Sequence, residues 1–221
     1  VNTDGYGYGG TSVTIAESQN SVDYTLGVPP DPNASWRVQY SLYGDTDYYD
    51  QGYYSSSGTQ WQEELTTLLT GSTEYSDVDL TILQGTRVSG TLQLPEGTFS
   101  QDGRIYFYAY DPATSLNLTN TSFRVTQGTN QVAFSFLLPP EETSFNLKYF
   151  VWPTEATYFN TGYLTTAENA VLSNPCEPEA AFTMNSSLTG LDVTLVKAPS
   201  INGTISLPAG EGPAATDNPI E

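Results

Sequence analysis

The chain has 221 residues, 38% of them hydrophobic and 14% charged, enough to build one or two packed cores. Six Lys and Arg stand against 25 Asp and Glu, a net charge of −19, and such a surface repels nucleic acid and anionic membranes. Histidine is absent, which removes Ser-His-Asp and Cys-His catalysis and histidine-containing zinc sites.

Residues 1–10 (VNTDGYGYGG) have linker composition, with Tyr6 and Tyr8 in alternation. Apolar residues at every second position then predict strands at Val13/Ile15, Val22/Tyr24/Leu26/Val28, Val38/Tyr40/Leu42 and Leu80/Ile82. Between the last two, the spacing of Trp61, Leu65, Leu68 and Leu69 allows a helical stretch over 60–70. Beyond residue 86 the alternation is cleaner. Val88, Gly90, Leu92 and Leu94 share one face, as do Ile105 and Phe107, with Tyr106, Tyr108 and Tyr110 opposite. An Asn/Thr-rich loop precedes a third strand beginning at Phe123 and Val125. Val132, Phe134, Phe136 and Leu138 form a fourth, stopped by Pro139-Pro140. Leu147/Tyr149/Val151, Gly162–Leu164 and Leu191/Val193/Leu195 complete the series, and 167–173 (AENAVLS) allows a turn or two of helix. No run nears the ~18 apolar residues of a membrane span, so no membrane insertion is expected.

The chain also repeats itself. Residues 88–97 (VSGTLQLPEG) return as 201–210 (INGTISLPAG), a shift of 113 (201 − 88). Residues 11–30 (TSVTIAESQNSVDYTLGVPP) return as 121–140 (TSFRVTQGTNQVAFSFLLPP), a shift of 110 (121 − 11). Gly52-Tyr53 recurs at Gly162-Tyr163, and 80–86 (LTILQGT) recurs as 193–199 (VTLVKAP). Two copies of a domain-sized unit are implied, each an antiparallel β-sandwich of short strands with Gly/Pro punctuation. The division is 1–10 (N-terminal extension), 11–86 (first unit), 87–200 (second unit) and 201–221 (extra strand and tail). Nothing before Thr11 matches 88–95 or 104–110, so the first unit lacks at least one strand in cis. If 88–94 close the first unit instead, its aromatic strand is still missing.

Through V-x-G-T-x-x-L-P-x-G at 88–97 and I-x-G-T-x-x-L-P-x-G at 201–210, the repeat resembles the Ig-like or prealbumin-like β-sandwich modules of bacterial surface proteins. The fold implied is all-β, with two tandem Ig-like antiparallel β-sandwich units. A unit short of a strand, beside a spare strand at a chain end, also resembles the subunits of donor-strand-exchanged pili. There an extended terminus of one subunit completes the sheet of another.

Polar motifs carry less. Asp45, Asp47 and Asp50 in GDTDYYDQG offer three carboxylates to a hard cation such as calcium, against the plainer reading of a solvated acidic loop. Asn33, Asn117, Asn120, Asn185 and Asn202 open N-x-S/T sequons, candidate glycosylation sites. Cys176 has no partner for an intrachain disulfide. The 16 tyrosines suit sheet packing and interfaces or stacking on sugars, and Trp36 and Trp152 fall at positions expected to pack. No catalytic residue and no cofactor are expected. These features predict an extracellular or cell-surface structural subunit that joins other copies of itself, with Tyr6, Tyr8, Val13 and Ile15 as the first-choice donor strand and the tail after Leu207 as the second. The alternatives are a carbohydrate-binding or calcium-stabilised adhesion module, or a piece of a longer surface repeat array.

Overall fold

The computed structural model describes residues 9–29, 31, 33–43, 47–70, 74–153, 158–167, 170–174, 176–177, 181–184, 186–204 and 206. The fold is all-β, its described residues forming thirteen strands and a single 3-10 turn, Glu63–Leu65. Four short strands precede residue 86: β1 (Ser35–Trp36), β2 (Gln39–Ser41), β3 (Gln51–Tyr53) and β4 (Leu69–Thr70). Nine come after it: β5 (Thr86–Gln93), β6 (Gly103–Tyr110), β7 (Asn117–Val125), β8 (Gln131–Leu138), β9 (Ser144–Trp152), β10 (Thr161–Ala167), β11 (Ala170–Asn174), β12 (Phe182–Thr183) and β13 (Leu188–Thr194).

Alternation builds these nine strands into one sheet. Phe145, Leu147, Tyr149 and Val151 of β9 are buried while the residues between them are half-buried, and Ile105, Phe107 and Ala109 of β6 do the same. The ladder runs β7-β6-β9-β10-β11-β13-β5-β8, with β12 beside the start of β9. Most pairings are antiparallel, but β13 runs parallel to both β5 and β11. Strands β7 and β8, at the two ends, lie against each other without a ladder, and the Phe123 and Phe134 ring centroids are 6.3 Å apart. The sheet is thus curled around one core. Phe107 sits 4.8 Å from Phe134, and Phe145 stacks on Phe182 at 5.1 Å. Each fully buried Leu or Phe in that cluster contributes about 1.5–3 kcal/mol.

Several expectations are corrected. Residues 60–70 hold one 3-10 turn rather than a helix: Trp61 packs on the main core, Leu65 and Leu68 are exposed, and Leu69 pairs with Trp36. The four apolar residues therefore never share a buried helical face. Residues 170–174 form β11, antiparallel to β10, instead of helical turns. The third strand starts at Asn117 rather than Phe123, because β6 pairs with β7 along its whole length. The sheet is mixed rather than wholly antiparallel. Of the two phasings left open for 88–94, β5 pairs with β8 and β13, both after residue 86. Trp36 is buried as expected, but Trp152 is 59% exposed and lies on Phe150 at the outer face.

The segment before residue 86 docks on this sheet. The Tyr49 hydroxyl donates to the Leu118 carbonyl on β7 (2.6 Å), and Arg87 bonds both Asp47 and the Ser135 hydroxyl on β8. Contacts thus reach β7 directly and β8 only by way of Arg87 of β5.

Candidate functional site

The pairings before residue 86 recur after it at the spacing of the sequence repeat. Ser35↔Thr70 and Trp36↔Leu69 correspond to Ser144↔Thr183 and Phe145↔Phe182. Tyr40↔Gly52 corresponds to Tyr149↔Gly162, and the residues on either side pair in the same register. The Leu42 amide donates to the Asp50 carbonyl at 2.7 Å, and the Val151 amide to the Asn160 carbonyl at 2.7 Å. The Tyr49 amide donates to Leu83 (2.8 Å), as that of Phe159 does to Val196 (3.1 Å). The Tyr40 and Tyr149 hydroxyls bond the carbonyls of Tyr49 (3.4 Å) and Phe159 (2.8 Å). Burial pushes the Tyr149 hydroxyl up to about 12, and burial also raises Tyr40 and Tyr49 above the ordinary tyrosine value.

One position is filled after residue 86 and, among the described residues, holds no strand before it. Strand β5 lies between β8 and β13, and its Gly90 pairs with Phe134 on one side and Leu191 on the other. The approach is so close that a Cβ on Gly90 would stand 2.1 Å from the Leu191 carbonyl oxygen. By the repeat, Phe134 corresponds to Tyr24 and Leu191 to Val78. In residues 21–29, Val22, Tyr24, Leu26 and Val28 are half-buried and the residues between them exposed, an alternation like that of β8. Neither 21–29 nor 74–83 joins a β-ladder.

A side chain spans the opening. The Tyr24 hydroxyl donates a short hydrogen bond to the Val78 carbonyl. Adjacent strands stand about 4.8 Å apart, so a strand missing from between two others leaves about 10 Å, a gap a tyrosine side chain reaches across. The far wall also keeps the backbone irregularity of β13. Gly190 (φ 70°) lies in the register shift of the β13–β5 pair, and its counterpart Asp77 has φ 57°. Aspartate is among the few residues that tolerate this left-handed conformation. Among the described residues, the two flanking segments and the backbone irregularity match those around β5, and no strand lies between them.

The predicted residues distribute unevenly around this opening. Val13 and Ile15 are exposed and in no ladder, and the Gly9 backbone lies against the Gly27 carbonyl of the same chain. Tyr6 and Tyr8 lie outside the described residues, as do Asp45 and Asn185. Asp47 pairs with Arg87, and Asp50 uses its carbonyl to hold Leu42. Among the described residues no group of three or more acidic or cysteine side chains could hold a metal ion. Asn33, Asn117, Asn120 and Asn202 are exposed, the middle two on β7 rather than in a loop. Cys176 is exposed. Sequence patterning marks Tyr24 only as a strand residue and gives Val78 and Asp77 no part beside it. Their only shared signal is alignment with Phe134, Leu191 and Gly190.

A second feature lies on the outer side of β6 and β9. Tyr106 and Phe150 face each other across the ladder at 6.2 Å, Trp152 continues the row at 6.5 Å from Phe150, and the Lys148 ammonium sits 5.8 Å from the Tyr163 ring centre. These form an aromatic strip with a cation beside it. No protein-family model, curated protein or solved structure matches this chain. Functional evidence therefore rests on the geometry of the open seat and the aromatic strip.

Proposed function

We propose that this chain is a structural subunit of an extracellular fibre or pilus-like filament, built from Ig-like or prealbumin-like β-sandwich units, in which a terminal strand of one copy completes the open sheet of the next. The observation that carries this reading is the place between 21–29 and 74–83, where Val22 to Val28 alternate like β8, Asp77 shares the positive φ of Gly190, and the Tyr24 hydroxyl meets the Val78 carbonyl. A strand laid there bonds two backbone edges at once and covers the half-buried row Val22, Tyr24, Leu26 and Val28. The subunit acts by assembly, and other copies of itself are its partners. A charge of −19 on every copy opposes random association, while a backbone ladder and apolar contacts hold the copies that dock. The acidic surface and the exposed sequons at Asn33, Asn117, Asn120 and Asn202 support a place on the cell surface. Purified full-length chain, followed by native mass measurement and negative-stain microscopy over a concentration series, should give oligomers and filaments. A monomer at every concentration would defeat this reading.

The aromatic strip supports a second reading, a glycan-binding adhesion module. Trp152 is exposed beside Phe150, and flat apolar rings suit stacking on sugar rings. Titration with polysaccharides should quench or shift Trp152 emission, and an emission spectrum that stays constant rejects this reading.

A further inference from the structure

We infer that the strand seated in this opening is 201–207 of a second copy of the chain, in the place that β5 holds between β8 and β13. This deepens the filament reading and rests on it. Residues 201–210 repeat the sequence of β5 and its exit, so Ile201, Gly203, Ile205 and Leu207 stand where Val88, Gly90, Leu92 and Leu94 stand. Val88, Leu92 and Leu94 are buried, whereas residues 201–204 and 206 are exposed and in no ladder, Ile201 at 98%. Ile201, left in water where Val88 is buried, is the apolar residue of a strand pattern without a sheet among the described residues.

The β5 ladders give the register. Val88 pairs with Phe136 and Gly90 with Phe134, so by the repeat Ile201 opposes Leu26 and Gly203 opposes Tyr24. On the other wall Gly90 pairs with Leu191 and Thr91 with Asp192, which sets Gly203 against Val78 and Thr204 against Asp79. Glycine is needed at the first of these positions, since even a methyl group on Gly90 would strike the β13 backbone. The segment carries glycine there. Its backbone would replace the Tyr24–Val78 hydrogen bond, whose hydroxyl lies across that path. The outward positions Asn202, Thr204 and Ser206 are polar, like Ser89, Thr91 and Gln93.

The N-terminal segment suits this seat less well. Val13 and Ile15 correspond by the repeat to Phe123 and Val125 of β7, and Gly9 already lies against Gly27 of its own chain. Donation from the C-terminal end of one copy into the N-terminal half of the next is head-to-tail, the contact type that builds open filaments.

The test uses the full chain in a Cys176→Ser background. Thr25→Cys and Asn202→Cys sit opposite each other in this register, as Ser135 and Ser89 do on β8 and β5. The two single variants are mixed, refolded from denaturant and oxidised. A disulfide-linked heterodimer is expected, with none when Thr14→Cys replaces Thr25→Cys. A second sample lacks 200–221, none of whose described residues belongs to the core, and should lose filaments while keeping the thermal midpoint of the intact monomer. Filaments that survive this truncation but vanish on deletion of 1–10 would overturn the C-terminal donor and leave the filament reading standing. A monomeric, internally cross-linked Thr25→Cys/Asn202→Cys double variant would overturn the second copy as donor. Full-length chain that never assembles defeats the filament reading itself.

Discussion

Replacing Gly203 by Val should separate folding from assembly. In the isolated chain nothing lies within 4 Å of a Cβ at Gly203, so the monomer tolerates the larger side chain. In the seat, the same position meets the Val78 backbone as Gly90 meets Leu191, where a Cβ would lie 2.1 Å from the oxygen, 2.5 Å from the carbonyl carbon and 2.8 Å from the amide nitrogen. All three are backbone atoms, so relief requires displacement of a strand rather than a rotamer change. Overpacking of this kind costs about 2–3 kcal/mol, and at 1.4 kcal/mol per factor of ten the subunit association constant falls about 30- to 150-fold. The assay is the critical concentration for filament formation by light scattering, with a thermal melt of the unassembled chain beside it. Gly90→Ala is the internal control: it brings the equivalent clash into the fold and should lower the melting temperature of the monomer. A Gly203→Val chain that assembles at the wild-type critical concentration refutes the register. So does one that melts early before assembling.

Three further outcomes are expected from the structure. Phe145→Ala removes a fully buried ring that stacks on Phe182 and contacts Phe136, and should cost about 3–5 kcal/mol in urea denaturation. Tyr149→Phe removes the bond to the Phe159 carbonyl, a loss of about 1 kcal/mol at neutral pH. Because burial holds the Tyr149 proton up to about 12 against a usual 10.0, the folded state keeps that proton better than the unfolded chain does. Its contribution is full below pH 10 and is lost as pH rises from 10 to 12. Urea midpoints measured across that window should fall less steeply for Tyr149→Phe than for the parent, and equal slopes would contradict the assignment. Raising salt from 0.01 to 0.15 M shortens the screening length from about 30 to about 8 Å, and with −19 on each copy it should lower the critical concentration. A rise would mean that attraction between charges drives docking.

The long strands were readable because their period is local. Val132, Phe134, Phe136 and Leu138 announce β8 through two-residue spacing and the Pro-Pro stop, and the same spacing announces β9. Where a segment is polar or its apolar spacing is ambiguous, only partners decide. Asn117–Ser122 looks like loop, yet it becomes strand because β6 offers a full edge. Trp61, Leu65, Leu68 and Leu69 fit a helix on paper, but Trp61 is taken by the main core and Leu69 by β1, and that divided demand leaves a single turn. Trp152 aligns with a sheet position but lies on the outer face, because β9 turns its other side, from Phe145 to Val151, toward the core.

The amino-acid sequence by itself determined the all-β class, the spacing of the repeat and the presence of a β5-like segment at 201–207, since alternation and self-similarity are properties of neighbours in the chain. Tertiary structure alone decided that β5 serves the second half of the chain rather than the first. It also decided that the Tyr24 hydroxyl meets the Val78 carbonyl, and that Asp77 shares the positive φ of Gly190. Those facts depend on residues far apart in the chain meeting in space, and no local pattern encodes which edges remain unpaired once the other strands have found their partners.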